Sequence, residues 1–208
     1  MDIAKFKKIP VMGILRGIDI DIIEPLVETV VSAGLGTMEI AMNSDKADLL
    51  IRKAVKAADK RLMIGAGTVL NITSLKMSID SGATFIVSPT LIDEIMDYCV
   101  TNVIPVFPGA ITPTEIYSAW KSGATMVKVF PSKFFGPSYI SEIKGPFENI
   151  ELMACGGIDS KNVSEYFRCG ASAVAFGGGI FRKEWLEKRD FVKIGRAVKA
   201  LIRGASGR

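Results

Sequence analysis

Three short junctions recur along this chain: Gly82-Ala83-Thr84, Gly123-Ala124-Thr125 and Gly170-Ala171-Ser172. Each stands where a segment of helical period gives way to a short apolar run. Glycine adopts the left-handed backbone that ends a helix, so each junction closes a helix and opens a strand at once. Gly34, ahead of Thr37, is a looser version. Spacings of 41 to 48 residues between these glycines hold two strand–helix units each, so one unit takes half that length. Strand-like runs occur at Pro10–Arg16, Thr37–Met42, Leu62–Gly67, Thr84–Ser88, Val103–Phe107, Thr125–Phe130, Glu151–Ala154 and Ala173–Phe176. Continuous apolar runs of this kind suit parallel strands covered on both faces.

Between the runs lie helical stripes. Leu26, Val27, Val30 and Val31 form one; Leu50, Ile51, Ala54, Val55 and Ala58 form another; Ile194, Ala197, Val198 and Leu201 line a last helix over about 191–202. Thr112-Pro113-Thr114-Glu115 has the capping-box arrangement, and Asp159 or Ser160 starts the helix before Val163. Eight such units in 208 residues, with no linker or composition shift, predict a single α/β domain over 1–208. The expected fold is a (β/α)8 TIM barrel with an N-terminal helical segment. A doubly wound open sheet is the alternative.

Composition narrows the chemistry. The chain contains no histidine, which removes Ser-His-Asp and Cys-His nucleophile systems and the histidine-based zinc sites. Any proton carrier working near neutral pH is then a carboxylate, lysine, tyrosine, thiol or water. The formal charge is +4, and the one dense basic cluster, Arg182 to Arg189, is interleaved with Glu184 and Glu187, so no nucleic-acid partner is expected. No apolar run reaches the length of a membrane span and the N-terminus lacks a secretory apolar stretch, so neither a membrane nor an export route is expected. Cys99, Cys155 and Cys169 are odd in number and lack CxxC spacing, which suits reduced thiols in the cytoplasm.

In a parallel barrel the site lies at the C-terminal ends of the strands. Burial penalises ionisable groups there, so those that interrupt strand runs are informative. Lys128 interrupts Met126-Val127-Lys128-Val129-Phe130, and Glu39 interrupts Met38-Glu39-Ile40-Ala41-Met42. The two could form only a structural ion pair. Alternatively, a desolvated lysine of lowered pKa attacks a ketone to give an imine, and a neighbouring carboxylate moves the protons that this chemistry requires. Arg16 and Thr68, at the ends of the first and third runs, could clamp an anionic substrate; a surface salt bridge and a helix cap are the plainer readings. Gly156-Gly157 and Gly177-Gly178-Gly179 fall after the last two strands, where barrels often bind phosphate through backbone N–H groups.

Gly13-Ile14-Leu15-Arg16-Gly17, the Glu39 strand, Gly65-Ala66-Gly67-Thr68-Val69-Leu70, Phe107-Pro108-Gly109, Lys128-Val129-Phe130-Pro131 and Gly156-Gly157-Ile158 occur in that order. Together they resemble the 2-keto-3-deoxy-6-phosphogluconate / 4-hydroxy-2-oxoglutarate aldolases, over about residues 9 to 180. That resemblance implies a class I, pyruvate-forming (β/α)8 enzyme that needs no cofactor or metal and assembles as a homotrimer. It implies Lys128 as the Schiff-base lysine and Glu39 as the general acid/base. Thr68 falls on the pyruvyl carboxylate side, Arg16 on the substrate's anionic or hydroxyl groups, and Phe130 and Pro131 beside the imine. Gly156, Gly157, Gly177 and Gly178 correspond to the distal phosphate site. Asn43, in Glu39-Ile40-Ala41-Met42-Asn43-Ser44, stands where the phosphogluconate type carries an arginine. This version, with Phe130-Pro131-Ser132 and Phe135-Gly136-Pro137, looks more like the phosphogalactonate branch. The glycines after the eighth strand come without the family's usual serine, and Cys155 reads as a small buried thiol.

The expected reaction is reversible cleavage of a 2-keto-3-deoxy-6-phospho sugar acid to pyruvate and glyceraldehyde 3-phosphate. A 4-hydroxy-2-oxoglutarate aldolase giving glyoxylate is the nearest alternative, and a barrel that binds a phosphorylated sugar acid without turning it over is the alternative from another class.

Overall fold

The computed structural model describes residues 1–206. A short helix, α1 (Ile3–Lys8), precedes nine strands: β1 (Val11–Leu15), β2 (Thr37–Ala41), β3 (Met63–Gly67), β4 (Ile86–Val87), β5 (Val106–Phe107), β6 (Gly109–Ala110), β7 (Val127–Val129), β8 (Leu152–Cys155) and β9 (Ala173–Phe176). Every strand pairing is parallel, in the order β5-β4-β3-β2-β1-β9-β8-β7-β6. The two ends of that order, β5 and β6, are separated only by Pro108. Proline has no N–H to give the ladder, so one barrel strand is divided into two pieces. The first piece pairs with β4 and the second with β7. The Pro108 carbonyl still accepts from the Lys128 N–H at 2.8 Å. The sheet therefore closes through eight positions as a (β/α)8 barrel, and the open-sheet alternative falls.

The helices α2 (Ile23–Ser32), α3 (Ala47–Ala58), α4 (Ile72–Asp80), α5 (Asp93–Thr101), α6 (Pro113–Lys121), α7 (Ser138–Lys144), α8 (Val163–Arg168), α9 (Lys183–Glu187) and α10 (Phe191–Ser206) surround it. None among the described residues is long and apolar enough to cross a membrane. The expected junctions hold: Gly34, Gly82, Gly123 and Gly170 all have φ between +90° and +99°. At each, the glycine N–H bonds back three residues and the next N–H bonds back five, as Gly82 to Ile79 (2.9 Å) and Ala83 to Ser78 (3.0 Å) illustrate. The Thr112 capping box is also present.

Several element boundaries differ from the sequence reading, the fourth and sixth strands being shorter and the last helix longer, and two of the differences have a clear local cause. The fifth strand starts at Val106, not Val103. Val103 occupies the left-handed slot that glycine fills elsewhere, with φ +55° and the same pair of closing bonds: Val103 N–H to Val100, Ile104 N–H to Cys99. It thus belongs to the end of α5. Before α8, Asp159 accepts from the Lys161 and Asn162 amides, so it caps a preceding turn while Asn162 stands at the helix start.

Two apolar layers fill the molecule. One lies between strands and helices; the other lies inside the barrel around Met12, Phe85, Phe107, Met126 and Met153. Phe6 of α1 joins the inner layer, packed edge-on against Phe107 at 6.0 Å. The N-terminal mouth is therefore plugged, and the cavity over the barrel opens at the C-terminal ends of the strands.

Candidate active site

Alternation along β7 divides its side chains between those layers. Val127 and Val129 face the helices, while Met126 lies in the barrel interior and Lys128 shares its face. The lysine therefore points inward. From β2, Glu39 does the same: its carboxylate is 1% exposed, and Oε1 lies 3.7 Å from Lys128 Nζ. That is ion-pair distance, longer than a direct hydrogen bond. Glu39 Oε2 has no hydrogen-bond partner among the described residues. The glycines of β3 make room for this carboxylate. A side chain at Gly67 would begin 2.5 Å from Glu39 Oε1, and one at Gly65 would run into the Phe85 ring.

Burial pushes the Glu39 carboxyl above its ordinary value, against the pull of Lys128 and Arg16. For Lys128, burial is the largest single influence and draws the ammonium down. The charge of Glu39, with a smaller contribution from Cys155, outweighs it, and the lysine lies above its ordinary value. This corrects the expectation of a lowered lysine. Desolvation favours neutral forms of both groups, whereas their mutual attraction favours the charged pair. Passage of the ammonium proton from Lys128 to Glu39 would leave the free amine.

Above the pair opens a cavity of about 400 Å³. Arg16 and Thr68 meet on its rim, where Arg16 Nη2 donates to Thr68 Oγ1 at 3.1 Å and links the ends of β1 and β3. Lys128 Nζ sits 5.5 Å from the centre of the Phe130 ring, which is 41% exposed. Gly156, Gly157, Gly177, Gly178 and Gly179 form the far wall. Gly156 and Gly157 have φ of +100° and +76°, and a side chain at Gly157 would meet Lys133 Cβ at 2.7 Å. Among the described residues no protein group accepts from the amides of Gly157, Gly178 and Gly179. Free N–H groups lining a cavity suit an anion.

Not every residue singled out in the sequence reaches this cavity. Asn43 is exposed on the turn after β2 and is not among the lining residues. Pro131 packs behind Gly156, away from the cavity surface. Glu39 lies beneath the floor. Conversely, Cys155 lines the cavity, as do Ile14, Pro89, Ile158 and Phe181. Ile14 is legible in retrospect, since it shares the period-two face of Met12 and Arg16. Burial raises the Cys155 thiol to about 11, with Lys128 opposing, so it stays protonated and is no nucleophile near neutral pH. No group of acidic, cysteine or histidine side chains arranged to hold a metal occurs among the described residues.

The family model "KDPG and KHG aldolase" matches residues 3–197. The chain is 32% identical to the 2-dehydro-3-deoxy-6-phosphogalactonate aldolase of Escherichia coli (strain K12) over 194 residues, which is 93% of this chain and 95% of that one. It is 31% identical to the 2-dehydro-3-deoxy-phosphogluconate aldolase of Haemophilus influenzae over 202 residues, covering 96% and 94%. A solved native KDPGal structure superposes with a TM-score of 0.89 at 30% identity, over 96% of each chain.

Proposed function

Because the chain belongs to the KDPG and KHG aldolase family, we propose that it cleaves a 2-keto-3-deoxy-6-phospho sugar acid to pyruvate and glyceraldehyde 3-phosphate. The observation that carries this reading is the inward, buried Lys128–Glu39 pair at 3.7 Å beneath a cavity open to solvent.

The chemistry follows from the pair. Glu39 takes the ammonium proton, and the Lys128 amine adds to the C2 ketone. The protonated carboxyl returns that proton to the carbinolamine hydroxyl, which leaves as water, and an iminium remains. The Glu39 carboxylate, restored in that step, accepts the C4 hydroxyl proton through a bound water as C3–C4 breaks. The bond's electrons pass into the iminium, giving an enamine and the aldehyde. Protonation at C3 and hydrolysis release pyruvate and free Lys128. Arg16 and Thr68 hold the carboxylate or hydroxyl end of the substrate, Phe130 walls the imine, and the Gly156–Gly157 and Gly177–Gly179 loops receive the phosphate. Asn43 and Pro131 lie outside the cavity surface and are given no contact with the substrate. The resemblance further implies a homotrimer, to be read by light scattering. The free thiols Cys99, Cys155 and Cys169 suit the reducing cytoplasm.

The test is kcat/KM for pyruvate release from the phosphogluconate, phosphogalactonate and 4-hydroxy-2-oxoglutarate substrates, side by side. The phosphorylated acids should be cleaved faster, and preference for the galactonate would support the branch assignment. Faster cleavage of 4-hydroxy-2-oxoglutarate would overturn the phosphate reading. No pyruvate from any of the three would favour a binding barrel.

A further inference from the structure

The ends of β7 and β8 are joined in an unusual way. Val127 N–H donates to the Glu151 carbonyl at 2.8 Å, and Val129 is in register with Ala154. The alternation of a parallel ladder then calls for the Cys155 N–H to donate to the Val129 carbonyl. A side chain joins this pair of backbone groups. The Cys155 N–H donates to Ser132 Oγ at 3.1 Å, and the Ser132 hydroxyl donates to the Val129 carbonyl at 2.7 Å.

The local sequence brings the hydroxyl there. Pro131 has no N–H and stops β7, and the chain turns back through a 3-10 turn over Ser132–Phe134. Ser132 is thereby carried between the strand ends, where it is 1% exposed. The Tyr166 hydroxyl of α8 donates to the Ser132 carbonyl at 3.5 Å, the outer limit of a hydrogen bond. One residue thus touches β7, β8 and α8.

We infer that Ser132 is a positioning residue that sets the distance between the imine-forming Lys128 and the glycine wall that receives the distal anionic group. Lys128 directly precedes Val129, and Gly156 directly follows Cys155, so both ends of the substrate hang from the two backbone groups that the hydroxyl bridges. Tying the two strand ends through one buried hydroxyl fixes the span that a bound substrate must match. The inference rests on the proposed aldolase reading and deepens it, because it ties substrate length and phosphate dependence to a residue that contacts no substrate.

Removing the hydroxyl takes away the bond that Cys155 N–H gives it and the bond that Val129 C=O receives from it, and frees the turn that carries it from both strand ends. The span then changes while the Lys128–Glu39 pair is left in place. The experiment compares wild type with Ser132→Ala in three readouts: trapping of pyruvate on Lys128 by borohydride, kcat/KM for the phosphorylated acid, and kcat/KM for 4-hydroxy-2-oxoglutarate, which lacks the distal phosphate. Trapping should survive, and kcat/KM for the phosphorylated acid should fall on the order of tenfold more than that for the short substrate, mainly through KM. An equal fall for both substrates, or no change in either, would overturn the inference. Should Ser132→Ala not fold, Tyr166→Phe cuts only the α8 tether and should show the same split at smaller size. An unchanged ratio there would also overturn it. Failure of the wild type to trap pyruvate would instead count against the aldolase reading.

Discussion

The two mouths of the barrel are built from opposite materials. At the N-terminal end, α1 carries Phe6 against Phe107, and Phe107 lies edge-on to Phe85 at 5.8 Å, with Met12, Met126 and Met153 filling the remaining space. That end is closed by packing, and helix α1 is secured by Asp2, which accepts from the Lys5 N–H at 2.9 Å, by the Met1 ammonium, which donates to the Thr84 carbonyl at 3.0 Å, and by the Lys7–Glu151 ion pair at 2.7 Å. At the C-terminal end the same inward positions carry Glu39, Lys128 and glycines, and a buried carboxylate oxygen has no hydrogen-bond partner among the described residues. Stability is concentrated at one end, and desolvated charge is kept at the other. Mutations should therefore separate activity from stability according to the mouth they strike.

The largest expected effect is at Lys128. Lys128→Ala should lower cleavage by more than about a thousandfold, the scale of losing a nucleophile. The fold should survive, because an isolated Glu39, already pushed up by burial, takes a proton and becomes neutral. Steady-state rates together with circular dichroism check both halves.

Glu39→Gln should cost roughly a hundred- to ten-thousandfold in kcat as a general acid/base is lost. The pH profile reports the same residue. Because its pKa is raised above 4.5, the carboxylate is lost on acidification earlier than an ordinary glutamate, so the wild-type acid limb should lie above 4.5 and vanish in Glu39→Gln. The sign for stability is opposite to that of a salt-bridged carboxylate. A raised carboxyl binds its proton more tightly in the folded state, so its contribution is full below the ordinary value. It is lost as pH rises through the raised one. A wild-type acid limb at or below 4.5 would contradict this assignment.

At the other mouth, Phe6→Ala should lower stability by about 3–5 kcal/mol in urea titration. Pyruvate trapping per folded molecule should not change. A parallel loss of trapping would mean that the two ends are not separable. The smallest effect is expected away from both. Val103 is 89% exposed and packs little, yet holds a left-handed backbone, so Val103→Gly should raise stability by about 1 kcal/mol with unaltered rates.

Much of this was legible in the sequence because glycine and periodicity carry backbone information directly. The junction glycines at 82, 123 and 170 mark helix ends whose φ leaves little choice of residue. Val103 hid the same junction, since a β-branched residue there reads as strand. Ring closure was hidden as well, because β5 and β6 are two residues each and Pro108 contributes no ladder donor. Period two places Lys128 with Met126 and Phe130 but does not say which face is inside. The layers that Val127, Val129 and Met126 enter decide that, and Glu39 on β2 meets the lysine there. The sign of the lysine's shift, the wall formed by Cys155 and the bridging role of Ser132 depend on neighbours brought together from distant segments. Asn43 shows the converse, a strand-end position whose side chain the turn leaves in solvent.

The most direct test of the central claim is borohydride reduction in the presence of pyruvate, followed by peptide mass spectrometry. An imine between Lys128 and pyruvate predicts a stable pyruvate-sized mass increase on the peptide containing Lys128, absent in Lys128→Ala. No adduct on that peptide, together with a Lys128→Ala protein that still cleaves substrate, would contradict it.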